Sequence, residues 1–212
     1  MILGLGAYAA IVFALLFAEL QEKRSAQIIL KPLAAIGFLI LAISFGALDN
    51  AYGQFIFAGL IACALGDVFL LSRQSQTVFR LGMLAFAIGH ICYVLAAGQI
   101  LRPDMSMLVF LATGVLGLGI GLCVFKSLKS NLPKDMVWPV GVYTLIISLM
   151  LARAFQTDMN GSHLFLLAGA ILFAISDIFV ARDRFVAPNP KNAWAITPLY
   201  FGAQAMFALS VL

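Results

Sequence analysis

Ala58-Gly59-Leu60-Ile61-Ala62-Cys63-Ala64-Leu65-Gly66-Asp67-Val68-Phe69 sets one carboxylate near the end of a long apolar run. Ala168-Gly169-Ala170-Ile171-Leu172-Phe173-Ala174-Ile175-Ser176-Asp177-Ile178-Phe179 does the same in the second half of the chain. Both runs are apolar for about the 20 residues that a helix needs to cross a bilayer. An aspartate costs about 2.5–3.5 kcal/mol at the centre of such a helix on insertion scales, and less toward the interface, so by default it marks a functional site. Two of them in matching local sequences make a stronger case than one.

The composition agrees with a lipid environment. Of 212 residues, 63% are hydrophobic and only 10% charged, against roughly 25% charged in a soluble globular domain. The expected fold is therefore all-α, a polytopic membrane protein of about eight helices forming one integral membrane domain over 1–212. Apolar runs predict helices at 2–20, 28–48, 52–72, 78–100, 106–126, 136–155, 162–181 and 193–212. Turn signals separate them: Asp49-Asn50, Arg102-Pro103-Asp104, Asn131-Leu132-Pro133, Asn160-Gly161 and Pro188-Asn189-Pro190, with Pro32 placed where a helix start tolerates it. No basic segment precedes the first run, so it is expected to remain a helix rather than a cleaved signal. Cys63, Cys92 and Cys123 fall in apolar stretches without metal or redox spacing and read as packing residues.

Loop charges set an orientation. Lys23, Arg24, Lys31, Arg73, Arg80, Lys126, Lys129, Lys134, Arg182, Arg184 and Lys191 lie in or beside the first, third, fifth and seventh loops, whereas the others hold only Arg102 and Arg153. The positive-inside rule puts the odd loops in the cytoplasm and both termini outside, in the cell (inner) membrane. The net charge of +4 reports this topology, and nucleic acid is not expected as a partner. At 1.5 Å per residue, Asp67 and Asp177 then sit on the order of 6–8 Å inside the cytoplasmic boundary. Glu19, Lys31 and Tyr200 gather at the same level, with His90 and Gln204 somewhat deeper.

The two aspartate stretches match at six of twelve positions at an offset of 110 residues, and the same offset carries His90 onto Tyr200. This predicts a parallel four-plus-four repeat whose pseudo-two-fold axis brings the aspartates face to face. Gly82, Phe86, Gly89, His90 and Tyr93 share one face of the fourth helix, and Tyr200 and Gln204 one face of the eighth. These residues serve either a site or interhelical hydrogen bonding. Lys31 either snorkels to the interface or holds a phosphate or carboxylate. The aspartates either cross-link helices or do chemistry. Two buried carboxylates close together do not ionise alike, and one stays protonated while the other carries charge, which supplies an acid and a base. Two aspartates and one histidine are too few to identify a metal site, and no cofactor is expected.

Lys31-Pro32, Gly66-Asp67 with Leu70-Leu71, Phe86-x-x-Gly89-His90-x-x-Tyr93, Ser176-Asp177 followed by Arg184-Phe185, and Tyr200-x-x-x-Gln204 together resemble the motif series of the YhhN-like lysoplasmalogenases. The resemblance runs from the second helix to the eighth. It implies a membrane hydrolase that cleaves the vinyl ether bond of a lysoplasmalogen to a fatty aldehyde and a glycerophospho-ethanolamine or -choline. Its partners would be a lysophospholipid, water and the bilayer. Protonation of an enol ether and addition of water suit a carboxyl and carboxylate pair. On this reading Asp67, Asp177 and His90 are catalytic, Tyr93, Tyr200 and Gln204 bind the glycerol backbone, and Lys31 meets the phosphate. Which aspartate is the acid stays open.

Two alternatives use membrane carboxylates. An intramembrane aspartyl protease is disfavoured by Ala64 two residues before Gly66 and by Ser176 before Asp177, which depart from its Gly-x-Gly-Asp and Tyr-Asp pattern. A proton-coupled transporter would place its site near the midplane with access to both sides, whereas these polar residues gather on one side.

Overall fold

Apolar runs closed by turn residues fold into eight α-helices in the computed structural model, which describes residues 2–72, 75–158 and 160–212. They are α1 (Ile2–Leu20), α2 (Arg24–Ser44), α3 (Ala51–Leu70), α4 (Gln76–Gln99), α5 (Met107–Lys129), α6 (Val137–Phe155), α7 (Leu164–Phe185) and α8 (Ala193–Leu209). Seven of them, α1 to α7, are long and apolar enough to cross a membrane, and the chain is an integral membrane protein. The 17 residues of α8 span roughly 26 Å at 1.5 Å per residue. Among the described residues the one β feature is an isolated bridge between Leu101 and Thr157.

Side-chain caps start three helices. Asn50 accepts from Gly53 N at 2.8 Å, Ser75 from Val78 N at 3.3 Å and Ser106 from Val109 N at 3.3 Å, each satisfying a donor that the first helical turn leaves free. Pro32 departs from expectation. It lies inside α2, which begins at Arg24, and not at the helix start. The reason is the tight turn before it, where Glu22 takes a positive φ of 53° and lets the helix resume within three residues. A proline at this depth removes one i→i−4 hydrogen bond. Both α5 and α7 run about a turn beyond the expected ends. Their last turns carry Lys126 and Lys129, and Arg182 and Arg184, cations that meet the negative end of the helix dipole.

The ends of α1, α3, α5 and α7 share one face with the starts of α2, α4, α6 and α8. Arg80 at the start of α4 pairs there with Asp135, just before α6, and Gln76 donates to the same carboxylate at 2.9 Å. This is the basic face. Arg73, counted above in its third loop, lies outside the described residues. On the opposite face the Tyr52 hydroxyl donates to Ser210 Oγ at 2.7 Å, and Arg102 Nε donates to Thr157 O at 2.8 Å.

The packing follows the halves. Within each half the first helix pairs with the second and the third with the fourth, and between halves α2 packs on α8 as α4 packs on α6. Glycine sets the closest approaches between α3 and α4. A Cβ on Gly59 would stand 2.4 Å from the Tyr93 ring, and one on Gly66 2.7 Å from the Phe86 ring, so both rings lie against bare backbone. The halves differ at the periphery. α1 also packs on α8, whereas α5 packs mainly on α6 and buries only Gly117, Gly121 and Leu128.

Candidate active site

Each aspartate is held by one group from its own half and one from the other. In the first half α3 carries Asp67, which is 2% exposed, and α2 brings Lys31 Nζ to 3.7 Å from its Oδ1. The Tyr200 hydroxyl, from α8, donates to Oδ2 at 2.6 Å. In the second half α7 carries Asp177, and the Tyr143 hydroxyl, from α6, donates to its Oδ2 at 3.0 Å. His90, from α4, sets Nε2 3.5 Å from that same oxygen. The third helix thus supplies the carboxylate, the second helix of the same half one partner, and the fourth helix of the opposite half the other. His90 and Tyr200, which share the 110-residue offset of the aspartates, occupy matching stations, so the sequence repeat is also a repeat of contacts.

Phe173 is fully buried between those stations. Its ring centroid lies 4.4 Å from that of His90 and 5.4 Å from that of Tyr200, edge-on to both, an arrangement that aromatic quadrupoles favour. His90 is anchored from its other side, with Nδ1 2.6 Å from the carbonyl oxygen of Phe86.

Both carboxylates open onto one cavity of about 130 Å³, which Lys31, Tyr143, Ser176 and Tyr200 also line. Its remaining walls are largely apolar and come mainly from α4 to α7, including Met83, Val124, Ile147 and Leu151. Toward the basic face lies a second, polar space of about 420 Å³ bordered by Glu19, Glu22, Asp183, Arg184, Asn189 and Thr197. Lys31, Leu70, Phe79, Val180 and Ile196 line both spaces, so an apolar cavity and a polar vestibule meet at the lysine. Thr197 holds the Glu19 carboxylate by a hydrogen bond. Asp183 accepts from Asn189 N at 3.0 Å and Asn192 Nδ2 at 2.6 Å, and Arg184 stacks 4.4 Å over the Phe79 ring.

Of the residues singled out in the sequence, Asp67, Asp177, Lys31 and Tyr200 line the cavity, and His90 reaches it through Asp177. Tyr93 and Gln204 stand apart from the lining. The Tyr93 hydroxyl donates to Gln204 Oε1 at 2.9 Å, and its ring stacks on Phe207 with centroids 3.8 Å apart. This buried pair joins α4 to α8 one turn beyond His90 and Tyr200. Of the cysteines, Cys63 packs against the Tyr93 hydroxyl, with Sγ 3.7 Å away. Tyr143 was missed by sequence reasoning. The signal for it was the repeat, since it lies 112 residues after Lys31, within one turn of the common offset.

Comparison with known proteins decides the family. The YhhN family model matches residues 26–211. This chain belongs to the YhhN family. It is 35% identical to the bovine (Bos taurus) lysoplasmalogenase TMEM86A over 196 residues, 89% of this chain and 78% of that protein. It is 32% identical to human lysoplasmalogenase TMEM86A over 189 residues, 85% of this chain and 75% of that protein. A lysoplasmalogenase of Mycobacterium tuberculosis is 24% identical over 159 residues, 72% of this chain and 58% of that protein. No solved structure matches it. Every motif that suggested the YhhN family lies inside the matched span, and so do the aspartate pair and its four partners.

Proposed function

We propose that this YhhN-family protein is a lysoplasmalogenase that hydrolyses the vinyl ether bond of a lysoplasmalogen, with Asp67 and Asp177 as a carboxylate acid–base pair. The observation that carries the reading is the pair of aspartates on one largely apolar cavity that meets a polar vestibule at Lys31. A single-chain lysolipid has the same two parts. Its alkenyl chain suits the apolar walls, its head group suits the vestibule, and its vinyl ether falls between them, at the level of the carboxylates.

The chemistry needs a proton delivered to the β-carbon of the enol ether, stabilisation of the resulting oxocarbenium ion, and addition of water. One aspartate supplies the proton and the other faces the cation. His90 takes part in the proton transfer through Asp177. Tyr200 contacts the glycerol backbone, while Tyr93 and Gln204 hold the α4–α8 seam behind it. Lys31 meets the phosphate at the mouth of the vestibule. The loop charges support a cytoplasmic basic face, with both termini outside and the site in the inner half of the cell membrane. The whole chain acts as one membrane domain.

The test compares purified protein on a lysoplasmalogen and on its saturated alkyl-ether analogue, measuring aldehyde. Aldehyde from the first and none from the second is expected. No aldehyde from lysoplasmalogens of either head group overturns the proposal.

A further inference from the structure

We infer that Asp177 holds the exchangeable proton of the site, donating it in a hydrogen bond to the unprotonated Nε2 of His90, and that Asp67 is the ionised member, balanced by Lys31. Phe86 fixes the tautomer of His90. Its carbonyl oxygen only accepts hydrogen bonds, so the 2.6 Å contact requires a proton on His90 Nδ1. In a neutral imidazole the other nitrogen, Nε2, is then a lone pair. That atom is buried without a hydrogen bond of its own among the described residues, and the group it faces is Asp177 Oδ2 at 3.5 Å. With neither group protonated, a nitrogen lone pair would oppose a carboxylate oxygen, and no cation among the described residues pairs with it to balance the charge. One proton between them removes both defects.

The surroundings decide where that proton rests. The His90 ring is enclosed by the rings of Phe173 and Tyr143, with centroids at 4.4 and 5.5 Å, and His90 itself is fully buried. Placing the proton on Nε2 would create two ions in that enclosure, each with a large desolvation cost, whereas placing it on the carboxyl creates none. The groups facing Asp177 are His90 from α4 and Tyr143 from α6. The Tyr143 hydroxyl donates to the same carboxyl and brings no charge. The neighbouring Ser176 hydroxyl is turned to Ile196 O at 3.3 Å. Asp67 has the opposite surroundings. Lys31 stands 3.7 Å from its Oδ1 as a cation, and the Tyr200 hydroxyl donates to its Oδ2, two contacts that favour a carboxylate over a carboxylic acid. The whole site is then neutral, one cation, one anion and one shared proton, as a membrane interior demands.

The catalytic consequence rests on the vinyl ether reading, while the assignment itself does not. Asp177 gives its proton to the β-carbon: the O–H bond breaks, a C–H bond forms from the double-bond electrons, and the positive charge spreads over the α-carbon and ether oxygen opposite the Asp67 carboxylate. Water adds to the α-carbon and returns a proton to Asp177. The hemiacetal C–O bond then breaks as its hydroxyl proton passes to the departing glycerol oxygen. One water is consumed and the site is restored.

The test is infrared spectroscopy of the purified protein at neutral pH without substrate, in H₂O and D₂O. A carbonyl band of a protonated carboxylic acid is expected. It should vanish in Asp177→Asn, persist in Asp67→Asn and shift in His90→Gln, whose amide is a different acceptor. Lys31→Met should add a second band as Asp67 loses its cation. No such band in the wild type, or a band lost in Asp67→Asn and kept in Asp177→Asn, overturns the assignment. If Asp177→Asn does not fold, an unmoved band in His90→Gln overturns it equally. These spectra need no turnover, so a failed aldehyde assay with the expected band pattern would reject the substrate and leave the proton assignment standing.

Discussion

Lys31 and Tyr143 occupy matching stations in the two halves, each on the second helix and each reaching the aspartate of its own half, at 3.7 and 3.0 Å respectively. One is a cation and the other a neutral phenol. The repeat therefore builds two similar nests for carboxylates and then breaks their symmetry at both partner positions, with Lys31 against Tyr143 and Tyr200 against His90. Two identical nests would hold two equivalent acids, whereas this difference gives the pair two roles.

Tyr143→Phe removes the phenol that orients Asp177 while keeping the ring. A hydrogen bond to a polar partner at a buried site is worth about 1–2 kcal/mol, so kcat should fall roughly tenfold with KM little changed. Steady-state kinetics on lysoplasmalogen check this. A variant as active as the wild type would remove Tyr143 from the site.

Lys31→Met strips the cation from Asp67. Breaking a buried ion pair from one side costs about 3–5 kcal/mol, and the 19% exposure of Lys31 puts the expected loss at the lower end. Thermal unfolding in detergent should show it as a fall in Tm, and adding Asp67→Asn should restore most of it, since no carboxyl then has to take up a proton to stay neutral.

Tyr200→Phe and Tyr93→Phe separate the cavity from the seam behind it. The first deletes a donor to Asp67 and should reduce kcat/KM roughly tenfold or more. The second deletes a bond to Gln204, away from the cavity lining, and should lower stability by about 1 kcal/mol with activity mostly retained. Equal losses of activity in both variants would contradict this division.

These contrasts show which parts were readable in the sequence. The helices were legible because spanning length and turn residues are coarse signals, and Asp67 and Asp177 because a carboxylate in an apolar run needs a reason. His90 and Tyr200 followed from their common offset. Tyr143 did not stand out, since a tyrosine in a span has an ordinary amphipathic use, and only its contact with Asp177 distinguishes it. Tyr93 and Gln204 carried the right polarity, but helical spacing gives a face and not the depth behind a cavity wall. Pro32 was misplaced because proline more often opens a helix than interrupts one, and the turn at Glu22 was hidden in polar residues that read as loop.

Gly59→Ala should destabilise the α3–α4 pair. Its Cβ would stand 2.4 Å from the Tyr93 ring, and overpacking of this kind costs about 1–3 kcal/mol. The fall in Tm should be larger than for Gly98→Ala, where a Cβ meets nothing within 4 Å.

The central claim is that both aspartates do the chemistry. Its most direct measurement is aldehyde release from lysoplasmalogen by Asp67→Asn and Asp177→Asn, each first shown to unfold at a temperature close to the wild type. General acid–base groups contribute about 10²–10⁴-fold, and each variant should lose activity on that scale. Full activity in either folded variant would contradict the two-carboxylate account.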